Sequence, residues 1–520
     1  MAPRSAADPS PPQIEQAGAL FRAGDLTGAE RLCRVILAAD PGHFDALHLL
    51  GVLCQRRGAP TEALVWLQRA DSVMPAQAQV RENIGLAALA AERPEIAVTA
   101  FETHLDLAGP TPGGQNNLGN ALLLARQAEA AIVRFQAALA LAPNFSPARY
   151  NLGRALERAG RLREAEAALR TVLPAAPPDR LPLVINLLGR VLCGQGRYPE
   201  AEHLASDLLA RRPDQHRTRW NRSLVRLLLG DFEAGWPDYE FRWLVPEHTP
   251  ASEGHTVLDP AKVAGRRVLV VAEQGLGDTI QFARYAPMLA DRGAEVWLSV
   301  PPELVWLCRT LRGVRGVVAT GDPVPPPDLT TAMLSLPLAF GSNIPAEVPY
   351  LHVPPHAAAA CKGRISAMEG LHVGLAWTGS RASAPRSALP LTLLAPLLAQ
   401  PKVIFHCLQK QITAQDQAWL GSYPGVRIHD TEWHDFADTA AMVARLDLVI
   451  TIDTSVAHLA GAMGRPTWIM LPFDPDWRWQ TGRKDSPWYP SVRLFRQPAP
   501  GDWAGVVAQV TAALANWAET

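Results

Sequence analysis

A period of 34 residues runs through the first two fifths of this chain and constrains its fold more than any other feature. Three kinds of residue follow the same period. They are prolines at Pro41, Pro75, Pro143 and Pro177, glycines at Gly51, Gly85, Gly119 and Gly153, and alanines at Ala29, Ala63, Ala97, Ala131 and Ala165. Three registers that share one period predict a repeated structural unit.

Each unit divides into two short helices. In the fourth unit Leu118, Leu122, Ile132 and Phe135 form an apolar stripe at helical spacing. The pattern resembles the tetratricopeptide repeat, and we predict an array over residues 13–243 with about six repeats and a degenerate seventh. The resemblance implies an α solenoid whose concave face receives a peptide or another protein.

Four repeat units have an asparagine two residues before their small residue. These asparagines form a ladder along the repeats and are Asn83, Asn117, Asn151 and Asn221. O-linked N-acetylglucosamine transferases, which the chain resembles in joining such repeats to a second domain, line their groove with a similar ladder. The resemblance implies an acceptor groove in which the amides hold a peptide backbone, because asparagine offers both a donor and an acceptor. Alternatively, each amide bonds a neighbouring helix.

Composition narrows the classes of function. The formal net charge is -1, which argues against a protein that neutralises a phosphate backbone. The first dozen residues lack the apolar core of a signal peptide, and no apolar run is long enough to span a membrane. The six cysteines have no metal-ligand spacing, so we expect buried thiols, no metal and a soluble, cytoplasmic protein.

The pattern changes after a polar, proline-containing stretch near residues 245–262. Short apolar runs then alternate with helical segments, as in parallel βαβ units. We predict strands at 268–272, 295–300 and 372–377 and a helix through 280–289. The fold class is therefore an α solenoid followed by an α/β domain at 262–520, built of two facing Rossmann-like halves, 262–355 and 370–520, with ligands at the carboxyl ends of the strands.

Two loops carry the candidate chemistry. Gly275 and Gly277 precede Asp278 between a strand and a helix, where backbone N–H groups favour an anion. Ile280 stands where a dinucleotide fingerprint has its third glycine, and no Walker lysine follows. Asp278 could equally be a helix cap.

The second loop follows an apolar strand and contains Asp453, Thr454 and Ser455. Hydroxyl side chains and free N–H groups at a helix start suit a diphosphate, and His458 one turn later could add a donor. Each of these residues could also cap or pack its helix.

The two loops together resemble the heptosyltransferase-type family, glycosyltransferase family 9, of GT-B fold, over about residues 266–517. The resemblance implies that Asp278 is the general base and that Asp453 and Thr454 contact sugar and diphosphate, although Ser455 replaces the family's glycine. It also implies a phosphate-neutralising role for Arg386 or Arg381. The predicted donor-binding residues are Gly275, Gly277, Trp377, Thr378, Arg386, Asp453, Thr454, Ser455 and His458.

A tryptophan- and arginine-rich segment replaces the glycine-rich ending usual in that family. Its members are Trp477, Arg478, Trp479, Arg483 and Trp488. They could form a lid over the donor, or they could seal the interface with the repeats, since tryptophan is mostly buried whatever its function.

These features predict an inverting, metal-independent glycosyltransferase without a cofactor. It would move a sugar from a nucleotide-diphosphate sugar to an acceptor, expected to be a protein, that the repeats select. The chief alternative is a scaffold whose GT-B domain binds a nucleotide without turnover. A third is an isomerase or epimerase of sugar nucleotides.

Overall fold

The structure is a computed structural model and describes residues 11–245, 256–361, 370–379, 389–429 and 433–518. The chain divides into two compact units, residues 1–191 and 192–520. The division falls within the predicted array, ahead of its last three helices. The boundaries expected from the sequence, 13–243 and 262–520, follow the change of pattern and stay a prediction.

The repeats form helical pairs along the described residues up to Tyr239, and the last pair is the one expected to be degenerate. The helices are α1 (Pro11–Ala23), α2 (Leu26–Ala39), α3 (Phe44–Arg56), α4 (Pro60–Val73), α5 (Ala78–Ala90), α6 (Pro94–Ala108), α7 (Pro112–Leu124), α8 (Ala128–Leu141), α9 (Ser146–Arg158), α10 (Leu162–Val172), α11 (Leu181–Gly194), α12 (Tyr198–Arg211), α13 (His216–Leu229) and α14 (Phe232–Tyr239).

The periodic small residues lie where the two helices of a pair cross. A Cβ added at Gly85 would lie 2.6 Å from the ring of Phe101, and one at Gly119 would lie 2.6 Å from the ring of Phe135. Both rings are fully buried, as are Ala97 and Ala131 of the alanine register. The 34-residue period therefore records one close helix crossing repeated along the array.

The last pair of helices shares a core with the α/β region inside the second unit. Trp236 and Tyr239 of α14 are buried in the same apolar cluster as Phe282, Trp477 and Trp488. The Trp236 ring meets that of Trp477 edge to face, with centroids 5.4 Å apart. Of the two expectations for the tryptophan-rich segment, the seal against the repeats matches these contacts.

The described residues of the α/β region form two sheets, in which the strands pair in parallel. The first sheet has the order β3-β2-β1-β4 and the second has the order β10-β9-β8-β5-β6-β7. The strands are β1 (Arg267–Val271), β2 (Glu295–Val300), β3 (Val314–Ala319), β4 (Leu329–Ala332), β5 (Leu371–Ala376), β6 (Val403–Cys407), β7 (Val426–Ile428), β8 (Leu448–Ile452), β9 (Thr467–Leu471) and β10 (Val492–Arg496).

Short helices connect these strands, and one longer helix follows the last strand. They are α15 (Leu276–Phe282), α16 (Tyr285–Asp291), α17 (Val305–Cys308), α18 (Leu336–Phe340), α19 (Pro355–Ala360), α20 (Ala395–Leu398), α21 (Ala414–Leu420), α22 (Phe436–Val443), α23 (Ser455–Ala462) and α24 (Trp503–Ala518). The single helix predicted through 280–289 is thus two, because Ala283 and Arg284 form a turn, after which the Ala286 N–H bonds the carbonyl of Ala283 only three residues back. None of the helices formed by the described residues combines the length and apolar character needed to cross a bilayer.

Candidate functional site

The first predicted loop joins β1 to α15. Gly275 is the N-cap of α15, and its N–H donates to Oδ2 of Asp278 at 2.8 Å. Gly275 is exposed and Gly277 is half-buried, whereas Asp278 is only 7% exposed. Asp278 is therefore the third residue of α15 and not its N-cap, and its carboxylate reaches back to the N–H of the N-cap residue.

The second predicted loop joins β8 to α23. All five residues of β8 are buried, and the chain emerges at Asp453, with Thr454 as the N-cap of α23. The Thr454 hydroxyl lies 3.1 Å from that of Thr451. Ser455 opens the helix, so the backbone N–H groups of its first turn lie at the carboxyl edge of the second sheet.

The two loops meet although almost 180 residues separate them in the chain. An added Cβ at Gly277 would lie 2.8 Å from Cδ2 of His458 and 3.4 Å from Cα of Ser455. Helix α15 packs against α23 along the same contact. Because no side chain larger than hydrogen fits there without a shift, Gly277 allows the two helix starts to approach closely.

The loop after β5 adds a third element to this edge. The Thr378 N–H donates to Oε1 of Gln409 at 3.2 Å. Gly379 lies beside Thr454, whose methyl carbon would be 3.3 Å from an added Cβ. Trp377, by contrast, is 3% exposed and its side chain belongs to the apolar core of the second sheet. Arg386 and Arg381 lie outside the described residues.

Asp278 also accepts a hydrogen bond from Arg478, which lies 200 residues later in the chain. Arg478 donates from Nη2 to Oδ1 of Asp278, from Nη1 to Asp476 at 2.8 Å, and from Nε to Gln281 at 2.7 Å. Burial alone would lower the pKa of Arg478, but the carboxylates of Asp476 and Asp278 outweigh it and raise that pKa above its usual range. Arg478 is therefore a buried cation shared by two carboxylates.

His458 is held by aromatic neighbours. Its Nδ1 lies 2.9 Å from the Tyr489 hydroxyl, and its ring stacks on that of Trp479 at 5.3 Å. Its Nε2 lies 3.8 Å from Oδ1 of Asp453. Among the described residues no group of three or more histidines, cysteines or acids is arranged to hold a metal.

The four asparagines of the ladder differ in their partners. The Asn83 amide lies 2.8 Å from Nε2 of His48, and the Asn151 amide donates to Asn116 at 2.9 Å. Asn117 and Asn221 are half-buried, and within the described residues neither amide has a side-chain hydrogen bond. The interhelical alternative thus describes Asn83 and Asn151.

Several residues at this edge were missing from the predicted site, among them Gln281, Gly379, Gln409, Arg478 and Tyr489. Arg478 and its tryptophan neighbours did stand out by composition, but no local signal ties Arg478 to Asp278.

Comparison with known proteins supports the first half of this description. A tetratricopeptide repeat family matches residues 20–96 and 122–187, and a second tetratricopeptide repeat family matches residues 186–239. These matches confirm the repeats expected in the first 240 or so residues. Over 95% of its length the chain is 27% identical to Protein FlbA of Caulobacter vibrioides, of which 88% is covered.

Solved structures also show some similarity to parts of the chain. A tetratricopeptide repeat protein from Parabacteroides merdae is 17% identical, with a TM-score of 0.40, over 46% of this chain and 93% of that one. The MamA protein is 22% identical, with a TM-score of 0.30, over 31% of this chain and 88% of that one.

Proposed function

We propose that this protein is an inverting glycosyltransferase of GT-B type that takes a sugar from a nucleotide-diphosphate sugar and transfers it to a protein acceptor. The repeats supply the protein-binding part, because arrays of this kind present extended surfaces to peptides and proteins. The α/β region supplies the nucleotide-binding part. No bound metal or cofactor belongs to the proposal.

The strand orders support a nucleotide site. Counted from its first strand, the second sheet has the order 3-2-1-4-5-6 of doubly wound dinucleotide-binding sheets, and the first has the order 3-2-1-4. In such sheets ligands bind outside the carboxyl ends of the strands where the order reverses. In the second sheet that point lies between β5 and β8, beside Thr378, Gly379 and Thr454.

The contact of Gly277 with Ser455 and His458 carries the proposal. It brings the glycine loop against the first turn of α23, whose N–H groups and dipole favour a diphosphate. The same turn would stabilise the charge of the departing nucleoside diphosphate without a metal.

The reaction needs one proton acceptor. The acceptor hydroxyl loses its proton to a carboxylate and attacks the anomeric carbon from the face opposite the diphosphate, and the diphosphate leaves with the electron pair of the broken C–O bond. Asp278 holds this role in the proposal. Arg478 and Gly275 engage its two oxygens, but each carboxylate oxygen keeps a second lone pair.

Ligand-induced stabilisation of the full-length protein tests the nucleotide site. ADP-, GDP-, UDP- and CMP-sugars are screened by thermal shift, and release of the free nucleotide is then followed. We expect ADP-, GDP- or UDP-sugars to raise the Tm, because a ligand that binds only the native state stabilises it by mass action. If none of these three classes raises the Tm, or if only CMP-sugars do, the diphosphate donor of the proposal is wrong.

Ser455→Asp localises the ligand. A carboxylate at the first position of α23 favours the helix dipole but repels a diphosphate, so we expect the fold to be retained and nucleotide affinity to fall about tenfold or more. Ala414→Asp is the matched control, because Ala414 opens α21 in the same way and is exposed. Equal affinities in the two variants would place the nucleotide elsewhere.

The burial and pairing of Asp278 favour a second candidate, a scaffold that binds a nucleotide without turnover. A carboxylate that caps its own helix and pairs with a buried arginine has a structural role without any chemistry. Stabilisation by a sugar nucleotide with no transfer or hydrolysis would favour this candidate.

A further inference from the structure

Glu273 and Gln274, the two residues ahead of the candidate glycine loop, are both bound by the segment that ends the repeats. Gln274 has φ +63°, a left-handed conformation that is uncommon and unfavourable for a residue with a side chain. A strained residue of this kind persists only where its surroundings hold it.

Arg242 holds the first of these two residues. It lies in the turn that follows α14, is 2% exposed, and donates to both oxygens of Glu273 at 2.9 and 2.8 Å. Glu273 also accepts from the N–H of Leu334 at 3.0 Å. A bidentate pair between a guanidinium and a carboxylate fixes orientation as well as distance.

Tyr239 holds Gln274, the second of the two residues ahead of the glycine loop. Nε2 of Gln274 donates to the Tyr239 hydroxyl at 2.7 Å. Tyr239 is the last residue of α14 and is 2% exposed, and its ring lies against Trp236 and Trp477. Burial raises the pKa of Tyr239 to about 12, so its hydroxyl keeps its proton at neutral pH.

We propose that Tyr239 and Arg242 are positioning residues that set the conformation of the glycine loop. The last repeat thereby holds the loop that faces α23, and the candidate site is incomplete without the end of the array. The nucleotide that the loop would bind rests on the proposed function. The role of Tyr239 and Arg242 in fixing the conformation of the loop does not.

Hydrogen exchange of the full-length protein without ligand tests the fixing. In Tyr239→Phe we expect the two hydrogen-bonded amides of the loop, Gly275 and Thr279, to exchange about two- to tenfold faster, because one hydrogen bond to the loop is lost. Strand β2 should keep its protection. The control is Tyr198→Phe, which removes a hydroxyl hydrogen bond from α12 to Asp474 at 3.1 Å, away from the loop.

A second pair of variants keeps the charges. Arg242→Lys loses the bidentate fork on Glu273, whereas its control Arg222→Lys loses contacts to Asp238 of α14 and Ser206 of α12. Of these two lysine variants, we expect only Arg242→Lys to show faster hydrogen exchange in the loop. Loop exchange that stays at the wild-type rate in both Tyr239→Phe and Arg242→Lys, or that rises as much in the controls, overturns the proposal.

Nucleotide binding then separates the two proposals. ADP, GDP and UDP are titrated into the wild type and Tyr239→Phe, and we expect weaker binding of whichever diphosphate the wild type binds. If the wild type binds none of them, the proposed function fails while the exchange result still decides whether Tyr239 and Arg242 fix the loop. Equal affinities with faster loop exchange would overturn the positioning role.

Discussion

Arg478 donates a hydrogen bond to the carboxylate of Asp278, 200 residues earlier in the chain. The pair is buried, with exposed side-chain fractions of 5% and 9%. It joins the turn after β9 to the first turn of α15, so the residue expected to be catalytic is also part of the framework of the site.

Asp278→Asn is expected to affect both activity and stability. The amide cannot accept a proton near neutral pH, so transfer should fall about 10²–10⁴-fold if Asp278 is the base. Arg478 keeps Asp476 but its hydrogen bond to Asp278 is weakened, so the free energy of unfolding should fall by about 1–3 kcal/mol. Urea unfolding and a transfer assay measure the two effects. Lost stability with retained turnover would leave Asp278 a structural role only.

Gly119→Ala and Gly189→Ala test the helix crossings. A methyl group at Gly119 meets the Phe135 ring, so we expect about 1–3 kcal/mol of destabilisation from overpacking. Gly189 occupies the corresponding register in α11, and an added Cβ there finds nothing within 4 Å. Alanine at Gly189 should be neutral or stabilise by up to about 1 kcal/mol, because alanine favours helix. Thermal unfolding measures the Tm of the two variants. An equal fall in Tm in both would contradict this explanation.

Asn117→Ala and Asn151→Ala distinguish a role in acceptor binding from a role in the stability of the repeat array. Asn151 bonds Asn116 and also accepts from Arg154 at 3.1 Å, so its loss should cost about 1–2 kcal/mol of stability. Asn117→Ala should leave stability nearly unchanged and, if the ladder binds an acceptor, weaken acceptor use. Unfolding measurements together with an acceptor titration test this, and unchanged acceptor use in Asn117→Ala would remove it from the groove.

Acid should destabilise the second unit through His406. Burial, followed by the neighbouring His429 and His372, lowers the pKa of His406 from 6.5 to about 4. The unfolded chain therefore binds a proton below pH 6.5 that the folded chain resists until about pH 4. The contribution of His406 to the free energy of unfolding is therefore complete above pH 6.5. It falls, by at most about 3 kcal/mol, as the pH drops towards 4.

His406→Gln should flatten that slope. Urea unfolding between pH 7 and 4 measures it, and His356→Gln, at an exposed position, is the control. A slope unchanged in His406→Gln would assign the acid sensitivity to other groups.

Fragments that begin at residues 177 and 250 test where the second unit starts. The longer fragment keeps α11 whole and retains Trp236, Tyr239 and Arg242, whereas the shorter one loses all three from a shared core. We expect only the longer fragment to unfold cooperatively and to avoid binding a hydrophobic dye. A cooperative transition in the fragment from 250 would contradict the shared core.

The repeats were predictable because one helix crossing recurs many times. Gly85 and Gly119 stand 34 residues apart because each lies against a buried ring on the partner helix. Strands such as β1 and β5 were also predicted to within one residue, since continuous apolar runs are typical of strands in parallel sheets.

The remaining features depend on contacts distant in sequence. No local pattern states that Arg478 reaches Asp278, that Trp377 turns into a core, or that the Asn151 amide bonds Asn116. The pairing of Gly277 with His458 was implied only by the joint presence of two loops. Their contact required the folded chain.

The core shared by α14 and the α/β region also bears on how such a chain can change its length. A repeat inserted or deleted among the early helical pairs leaves Trp236, Tyr239 and Arg242 with the same neighbours. One removed at the last pair exposes the aromatic core and frees Glu273 and Gln274. Variation in repeat number should therefore accumulate toward the amino terminus, with the final pair inherited together with the domain that follows it.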